Sequence, residues 1–412
     1  MVLTVSSTEP PITIRQLAVT AYLPTMLSSI GFGAVVPLIP LTATSLGAGV
    51  ELAAFVVALR AIGQLFGDLP AGWIASRIGD KYALVGACIL DAIVMGAVVL
   101  VPNLWVLALA VLLSGFAGSV FGLARHAYLT EVVPVQWRAR AMSTLGGVHR
   151  VGFMVGPLAG AALVSLFDLS AGYVFAAAMS VIAAVIIMLL PDTSGPRGAA
   201  ATSSSAADPS LVSVLRAHSR VLATLGVGVL SLMLIRGARQ AIVPLWAEHV
   251  GLDAAQTSLI FALSSALDVA LFFPAGMIMD RFGRFWVCVP AMIIMGAAFV
   301  VLPLSTGAWS VAAVAALLGI GNGTSSGIGM TLGADLSPEV GRTKFLAGWR
   351  LFGDFGSTVG PLLISAITLF APLAAAAVTL GVLSWAGAAW LGRFIPLGVG
   401  PVPRPGEQRT RG

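Results

Sequence analysis

The chain has 412 residues, of which 58% are hydrophobic and 9% are charged, and its formal net charge is +5. Soluble domains carry about 25% charged residues, so this composition excludes a water-soluble globule. Apolar runs of about 20 residues recur along the whole length, each able to cross a ~30 Å hydrocarbon core as a helix, and the ~10-residue alternation of a membrane barrel is not visible. The basic residues lie between the runs rather than in one patch, which excludes a nucleic-acid-binding surface.

The sequence therefore predicts an all-α polytopic membrane protein with twelve transmembrane spans. The predicted spans are 17–40, 51–75, 83–102, 104–127, 142–167, 170–190, 221–247, 256–279, 286–304, 309–334, 345–370 and 372–395. Alternate connections between spans hold nearly all the lysines and arginines, and the remaining connections hold none. The positive-inside rule then places both termini in the cytoplasm.

The chain divides into two units of six spans, 17–190 and 220–395. Between them, residues 191–219 are rich in Ala and Ser and are expected to form a flexible cytoplasmic linker. Residues 1–16 are expected to form a cytoplasmic N-terminus, and the proline-rich residues 396–412 a disordered cytoplasmic tail.

The two units repeat one another. Pro70-Ala71-Gly72 matches Pro274-Ala275-Gly276 at an offset of 204 residues, which indicates a duplicated six-helix unit. In the first span of each unit, Pro37 pairs with Pro244 at an offset of 207, which implies a slip of three residues.

Each unit also contains a charged turn bounded by glycines, at 72–81 and 276–284. On these turns the chain resembles the major facilitator superfamily of secondary transporters, whose signature in the second and eighth connections reads roughly G-x-L-a-D-R-x-G-R-K. The later copy has Gly276, Asp280, Arg281, Gly283 and Arg284 in place. The earlier copy keeps Gly72, Arg77, Gly79 and Lys81, but has Ser76 for the acid and Asp80 for the second base.

The resemblance implies two pseudo-symmetric six-helix bundles that rock about a midplane site. It also implies a cytoplasmic gating network built from the turn and from an acid at the end of the fourth helix of each unit. In the second unit that network is Asp280, Arg284 and Asp335. In the first unit Arg77, Lys81 and Glu131 remain, so a weaker or rewired network is expected there.

Spans 5 and 11 carry small residues at four-residue spacing, each followed by a proline. They are Gly152, Gly156 and Pro157, and Gly356, Gly360 and Pro361. Span 5 resembles the G-x-x-x-G-P pattern of the twelve-span drug:proton antiporters in this superfamily; the alternative is close helix packing without a role in transport.

Charges inside spans are informative because each costs about 2.5–3.5 kcal/mol at mid-helix. Asp268 in span 8 could pair with Arg236, three residues before Arg239 on span 7, or with Arg150 in span 5. Asp68 in span 2 and Asp354 in span 11 lie at similar depths, in spans that face each other in this superfamily. We expect Asp268 or Asp354 to carry a coupling proton, with Asp68 or Asp91 as further candidates; the alternative is a static set of ion pairs that fastens the units together.

Candidates for the substrate cavity come from spans 1, 4, 7 and 10, which line the pathway in this superfamily. They are Tyr22, Met26, Phe32, Phe116, Phe121, Gln240, Trp246, Asn322 and Met330, together with Arg236 and Arg239. Aromatic and methionine side chains can wrap varied apolar ligands, although each of these residues could equally serve ordinary helix packing. The four histidines are scattered, so no metal site is expected.

The favoured function is a secondary active transporter, a proton-coupled exporter of drug-like or amphipathic small molecules. The alternative is uptake or export of a small anionic metabolite, with Arg236 and Arg239 as a carboxylate or phosphate clamp. A non-transporting membrane sensor or an intramembrane enzyme is a remote alternative, since no H-E-x-x-H motif is present. No G-x-x-x-x-G-K-[ST] loop for ATP exists in the sequence, so we expect a proton gradient as the energy source. We expect no cofactor. We also expect a monomer in the plasma membrane, whose partners are its substrate and the lipid bilayer.

Overall fold

The computed structural model describes residues 17–190 and 210–398. Twelve helices in these residues are long and apolar enough to cross a membrane, which confirms the predicted all-α architecture. The first six are α1 (Ala18–Val35), α2 (Val50–Ile78), α3 (Asp80–Leu100), α4 (Leu104–Val132), α5 (Gln136–Leu166) and α6 (Leu169–Leu189). The second six are α7 (Ser219–His249), α8 (Ala254–Phe282), α9 (Phe285–Leu304), α10 (Ala308–Leu336), α11 (Lys344–Thr368) and α12 (Leu373–Pro396).

Two of the predicted spans are interrupted. Span 17–40 ends as a helix at Val35, and after a turn at 36–37 a second short helix, Leu38–Ser45, continues it. α10 is broken at 325–327, where Gly327 adopts a φ of +83°, a left-handed conformation that favours glycine. The hydroxyl groups of Ser325 and Ser326 each donate to the carbonyl of Asn322 at 3.0 Å, so the break leaves that carbonyl satisfied.

The expected linker is partly helical. Residues 191–209 lie outside the described residues, as do 1–16 and 399–412. Residues Leu211–Ala217 form a short helix, because the Ser210 hydroxyl caps its first turn by accepting from the backbone N–H of Ser213 at 3.1 Å. The helix buries Val214 and packs on α11, so the ordered second unit begins before residue 220.

Aromatic side chains mark the two ends of the helices. We call the end that carries Arg77, Lys81, Arg138 and Arg284 the basic face, and the other end the opposite face. Exposed aromatic residues stand at both ends: Trp73, Tyr82, Trp137 and Trp286 at the basic face, and Trp105, Trp309 and Phe370 at the opposite face. Two aromatic belts of this kind are typical of the two interfaces of a membrane.

Each bundle holds its first helix against its fifth through the predicted glycines. A Cβ on Gly156 would lie 2.6 Å from the backbone nitrogen of Ala34 on α1, and a Cβ on Gly360 would lie 2.6 Å from that of Ala238 on α7. Ala34 and Ala238 are 204 residues apart, so the repeat keeps one offset through the first helix of each unit. The predicted slip of three residues is therefore wrong, because Pro37 and Pro244 stand at different positions of equivalent helices.

The two bundles contact each other mainly along two helix pairs, α2 with α11 and α5 with α8. These pairs flank a central space on opposite sides. The charged residues within the helices gather at these two contacts.

Candidate functional site

Asp268 on α8 is the centre of the first charged contact. Its Oδ1 accepts from Arg150 Nη1 on α5 at 3.1 Å, which joins the two bundles. Its Oδ2 accepts from Asn322 Nδ2 at 2.5 Å, and Arg239 Nη2 lies 4.0 Å away. Ser326, at the break in α10, donates to Oδ1 at 3.4 Å. Four helices therefore converge on one carboxylate.

Two arginines of α7 complete this group, which we call the cationic cluster: Arg150, Arg236, Arg239 and Asp268. Arg239 is 3% exposed and donates to Ser264 at 2.8 Å, yet its Nε has no hydrogen-bond partner. Arg236 lies within electrostatic reach of Asp268, but within 17–190 and 210–398 no hydrogen bond or ion pair reaches its guanidinium. Of the two predicted partners for Asp268, the structure pairs it with Arg150 and not with Arg236.

The second charged contact is the acidic cluster: Asp68 on α2 with Arg350 and Asp354 on α11. Arg350 Nη2 lies 3.4 Å from Asp68 Oδ1, and Arg350 Nε lies 3.3 Å from Asp354 Oδ2. Ser119 on α4 donates to Asp68. Two carboxyl groups from opposite bundles thus share one arginine.

A third polar group is buried inside the first bundle. Ser114 and Ser180 donate to the two oxygens of Asp91 at 2.6 and 2.7 Å, and Arg60 donates to Ser114 at 2.9 Å. The Arg60 guanidinium also lies 3.4 Å from the ring centroid of Phe32. These residues line a cavity of about 40 Å³, which has room for roughly three waters.

The central space is closed at the opposite face. There Thr44 Oγ1 donates to Glu248 Oε1 at 2.6 Å, joining the first bundle to the second. Toward the basic face the interior is accessible, since His149, the neighbour of Arg150 on α5, is exposed and Met330 on α10 is 84% exposed. We interpret these exposures as an opening between the bundles toward the basic face.

The structure places the predicted cavity residues in different surroundings. Five of them, Tyr22, Met26, Phe32, Phe116 and Gln240, are half-buried, whereas Phe121, Trp246 and Asn322 are buried. Phe121 packs in the core of the first bundle. Trp246 donates to the Ser305 hydroxyl at 2.9 Å within the second bundle, so its role is packing.

The two charged turns are built alike but paired differently. Gly79 and Gly283 end α2 and α8 with φ angles of +86° and +94°, which explains the glycine in each copy. In the second unit Arg284 forms two hydrogen bonds to Asp335, at 2.8 and 3.2 Å. Asp280 and Arg281 are exposed, and Arg281 lies over the ring of Phe282.

In the first unit Lys81 donates to the carbonyls of Leu190 and Met188 at 2.5 and 3.1 Å. It therefore caps the end of α6, and no ion pair joins it to the exposed Glu131 among the described residues. Arg77 lies over the ring of Trp73. The charged side chains of the first turn therefore make different contacts from those of the second turn. In the first turn Asp80 replaces the second base of the motif.

Arg350, Ser326 and His149 were not selected from the sequence as site residues. Arg350 could have been identified from the sequence, because it stands four residues before Asp354 and therefore lies on the same face of the helix. Ser326 owes its place to the break in α10, which the apolar pattern does not show. No group of three His, Cys, Asp or Glu residues in the described chain is arranged to hold a metal ion.

Comparison with curated proteins gives similarities along most of the chain. The class C tetracycline resistance protein of Escherichia coli is 25% identical over 384 residues, covering 89% of this chain and 90% of that protein. The multi-drug resistance efflux pump PmrA of Streptococcus pneumoniae is 23% identical over 361 residues, covering 84% and 88%. A gallate transporter of Pseudomonas putida is 33% identical over 150 residues, so this chain spans about a third (32%) of that relative's length.

Solved structures share the fold. A POT family transporter in complex with a thioalcohol-conjugated peptide superposes with a TM-score of 0.77 at 13% identity, covering 93% of this chain and 96% of that one. The nucleoside transporter NupG superposes with a TM-score of 0.71 at 15% identity, covering 90% and 99%. The family model described as Major Facilitator Superfamily matches residues 21–238 and 224–412. Since that model covers both halves, the chain belongs to the major facilitator superfamily of transporters.

Proposed function

We propose that this protein is a secondary active transporter that exports small amphipathic molecules by alternating access in exchange for protons. The observation that carries the proposal is the acidic cluster, where Asp68 of one bundle and Asp354 of the other share Arg350. A transporter driven by protons needs a group whose protonation alters how the two bundles hold each other. This cluster is such a group.

Charge balance is the reason that we propose the acidic cluster as the proton site. With both carboxyl groups ionised, the cluster carries one uncompensated negative charge, and two carboxylates that share one arginine repel each other. One shared proton removes the excess charge. Asp268 differs, because Arg150 lies 3.1 Å and Arg239 lies 4.0 Å from its carboxylate, so there is no excess negative charge there for a proton to remove. Of the predicted acids, Asp354 and Asp68 therefore fit the coupling role better than Asp268.

We propose export because of the named relatives, and we use the sidedness of the charges to assign the two faces. By the positive-inside rule the basic face lies in the cytoplasm, so the described conformation opens to the cytoplasm and is closed outside. Both termini then lie in the cytoplasm, and the cell membrane is the proposed location. Two relatives are named for resistance or efflux, which supports export. We propose a monomer, since one chain supplies both bundles of the pathway.

The test is transport into inverted membrane vesicles with and without a proton gradient, using a panel of amphipathic dyes and organic anions. We expect gradient-driven accumulation by the native protein. The double variant Asp68→Asn/Asp354→Asn should lose gradient-driven accumulation but retain exchange of substrate for substrate. Glu339→Gln, an exposed acid at the basic face, is the matched control. Native-level accumulation by the double variant would remove the acidic cluster from coupling.

A separate labelling experiment tests whether the basic face lies in the cytoplasm. Cysteines placed at Ile78 and Phe282, both exposed at the basic face, should react with impermeant reagents only from the cytoplasmic side. The background would lack the buried Cys88 and Cys288. Labelling from outside would contradict the assignment of the basic face to the cytoplasm.

A second candidate is transport of a small anionic metabolite. The three arginines around Asp268 favour it, and one relative is named as a gallate transporter. The organic-anion arm of the vesicle panel tests this candidate directly.

A further inference from the structure

The cationic cluster carries more charge than the fold needs. Three guanidinium groups, those of Arg150, Arg236 and Arg239, face one carboxylate, that of Asp268. An unpaired charge at the centre of a membrane helix is energetically costly, so a cluster that served only to fasten the bundles would match its charges. The excess of two positive charges indicates that a group outside the described residues completes the cluster.

The donors that lack partners show where that group would bind. No hydrogen bond or ion pair within 17–190 and 210–398 engages Arg236, which is half-buried. Arg239, three residues later on the same face of α7, has a buried Nε without a partner. Arginine presents its donors in a planar fork that matches a carboxylate. Arg150 is already bound to Asp268 and so holds the site between the bundles.

Aromatic rings adjoin these arginines. Arg150 lies 4.3 Å from the ring centroid of Phe272, and Arg239 lies 5.6 Å from that of Phe261. Phe153 on α5 and Phe261 on α8 meet edge to face at 6.2 Å, so both bundles contribute to the aromatic surroundings. Such surroundings suit a ligand with a flat apolar body.

We propose that the cationic cluster binds the acid group of the transported molecule, and that the substrate is a small organic anion with a carboxylate on a flat apolar body. This inference rests on the proposed transport function and specifies its substrate class. The carboxylate engages Arg236 and Arg239, while Arg150 keeps its bond to Asp268. Binding then neutralises charge on α7, next to the α5–α8 contact.

The test is the thermal unfolding of the full-length protein in detergent with three probes of one shape: benzoate, benzamide and benzylammonium. A ligand that binds only the folded state raises its unfolding temperature. We expect benzoate to raise it, benzamide to raise it less, and benzylammonium to have no effect. Equal shifts with all three probes would overturn the inference.

The variant Arg236→Gln tests whether Arg236 contributes to ligand binding rather than to the stability of the fold. Because Arg236 has no partner in the described chain, we expect this variant to unfold at a temperature equal to or higher than that of the native protein, and to lose the shift with benzoate. Arg220→Gln, an exposed residue at the basic face, should keep the shift. A benzoate shift that survives in Arg236→Gln would also overturn the inference.

The vesicle assay keeps the two proposals apart. Proton-driven accumulation of neutral or cationic dyes, without a benzoate shift, would leave the transport function standing and reject the anion site. A benzoate shift that depends on Arg236, without proton-driven flux of any probe, would leave the anion site standing and reject the proton-coupled function.

Discussion

The negative charge of Asp268 compensates the positive charges of the arginines at the interface between the bundles. Asp268 accepts from Arg150 and Asn322, and it neutralises part of the charge of Arg239. Its surroundings exclude most water, since its residue is 8% exposed. Removing one partner of a buried charged group is costly because the remaining charges lose their compensation.

We predict that Asp268→Asn destabilises the protein by about 3–5 kcal/mol, because three guanidinium groups would then have no carboxylate. The measurement is thermal or denaturant unfolding in detergent. Asp335→Asn is the matched control and should cost less, since the side chain of Asp335 is 29% exposed and faces one arginine, Arg284, rather than three. Adding Arg150→Gln to Asp268→Asn should restore part of the loss. An equal effect of the two asparagine variants would contradict the charge balance described for the cationic cluster.

The helices owe their closest contacts to glycine. Gly156 and Gly360 let α5 and α11 approach the backbones of α1 and α7, and a Cβ would lie 2.6 Å from a backbone nitrogen at each. Since backbone cannot move aside as a flexible side chain can, the helices would have to separate.

We predict that Gly360→Ala and Gly156→Ala each destabilise the folded protein by about 1–3 kcal/mol through overpacking. Gly353→Ala on α11 and Gly147→Ala on α5 are matched controls, because their Cβ atoms would meet a methionine side chain at 3.6 Å and open space, respectively. The unfolding temperature and the monodisperse yield in detergent report the effect. If the controls lost as much stability as the test variants, close helix approach would not be the cause.

The twelve helices could be predicted from the sequence because a membrane span requires about 20 apolar residues, and such runs are easily recognised. The helix breaks were not predictable in the same way. Pro37 precedes a new helix, whereas Pro244 lies inside α7, although both residues look alike in the sequence. Hydropathy alone also gives no sign of the break at Gly327.

The charged clusters could be predicted only in part. Intramembrane aspartates and arginines stand out by residue type, and spans 5 and 8 were expected to meet. Which arginine binds Asp268 depends on the rotation of α7 about its axis, which a one-dimensional pattern does not fix. The sequence therefore left Arg236 and Arg150 as alternatives, and the structure distinguishes them.

The molecule as described is closed at the opposite face, where Thr44 and Glu248 join the bundles. We predict that Thr44→Cys/Glu248→Cys, in a background without Cys88 and Cys288, forms a disulfide on oxidation and stops transport. Dithiothreitol should restore it, because the bond would hold shut the side that has to open for release. Transport is measured in the vesicle assay, and each single cysteine variant is a control. Full transport with the disulfide intact would show that the opposite face need not open.

Thr44 and Glu248 are also 204 residues apart, so they occupy the same position of the two repeats and meet on the pseudo-twofold axis. An ancestor that assembled from two identical six-helix subunits would have set threonine against threonine there, or glutamate against glutamate. Only the first of those pairings avoids electrostatic repulsion. The present donor–acceptor bond joins unlike residues, so it favours association of unlike halves over self-association of either one.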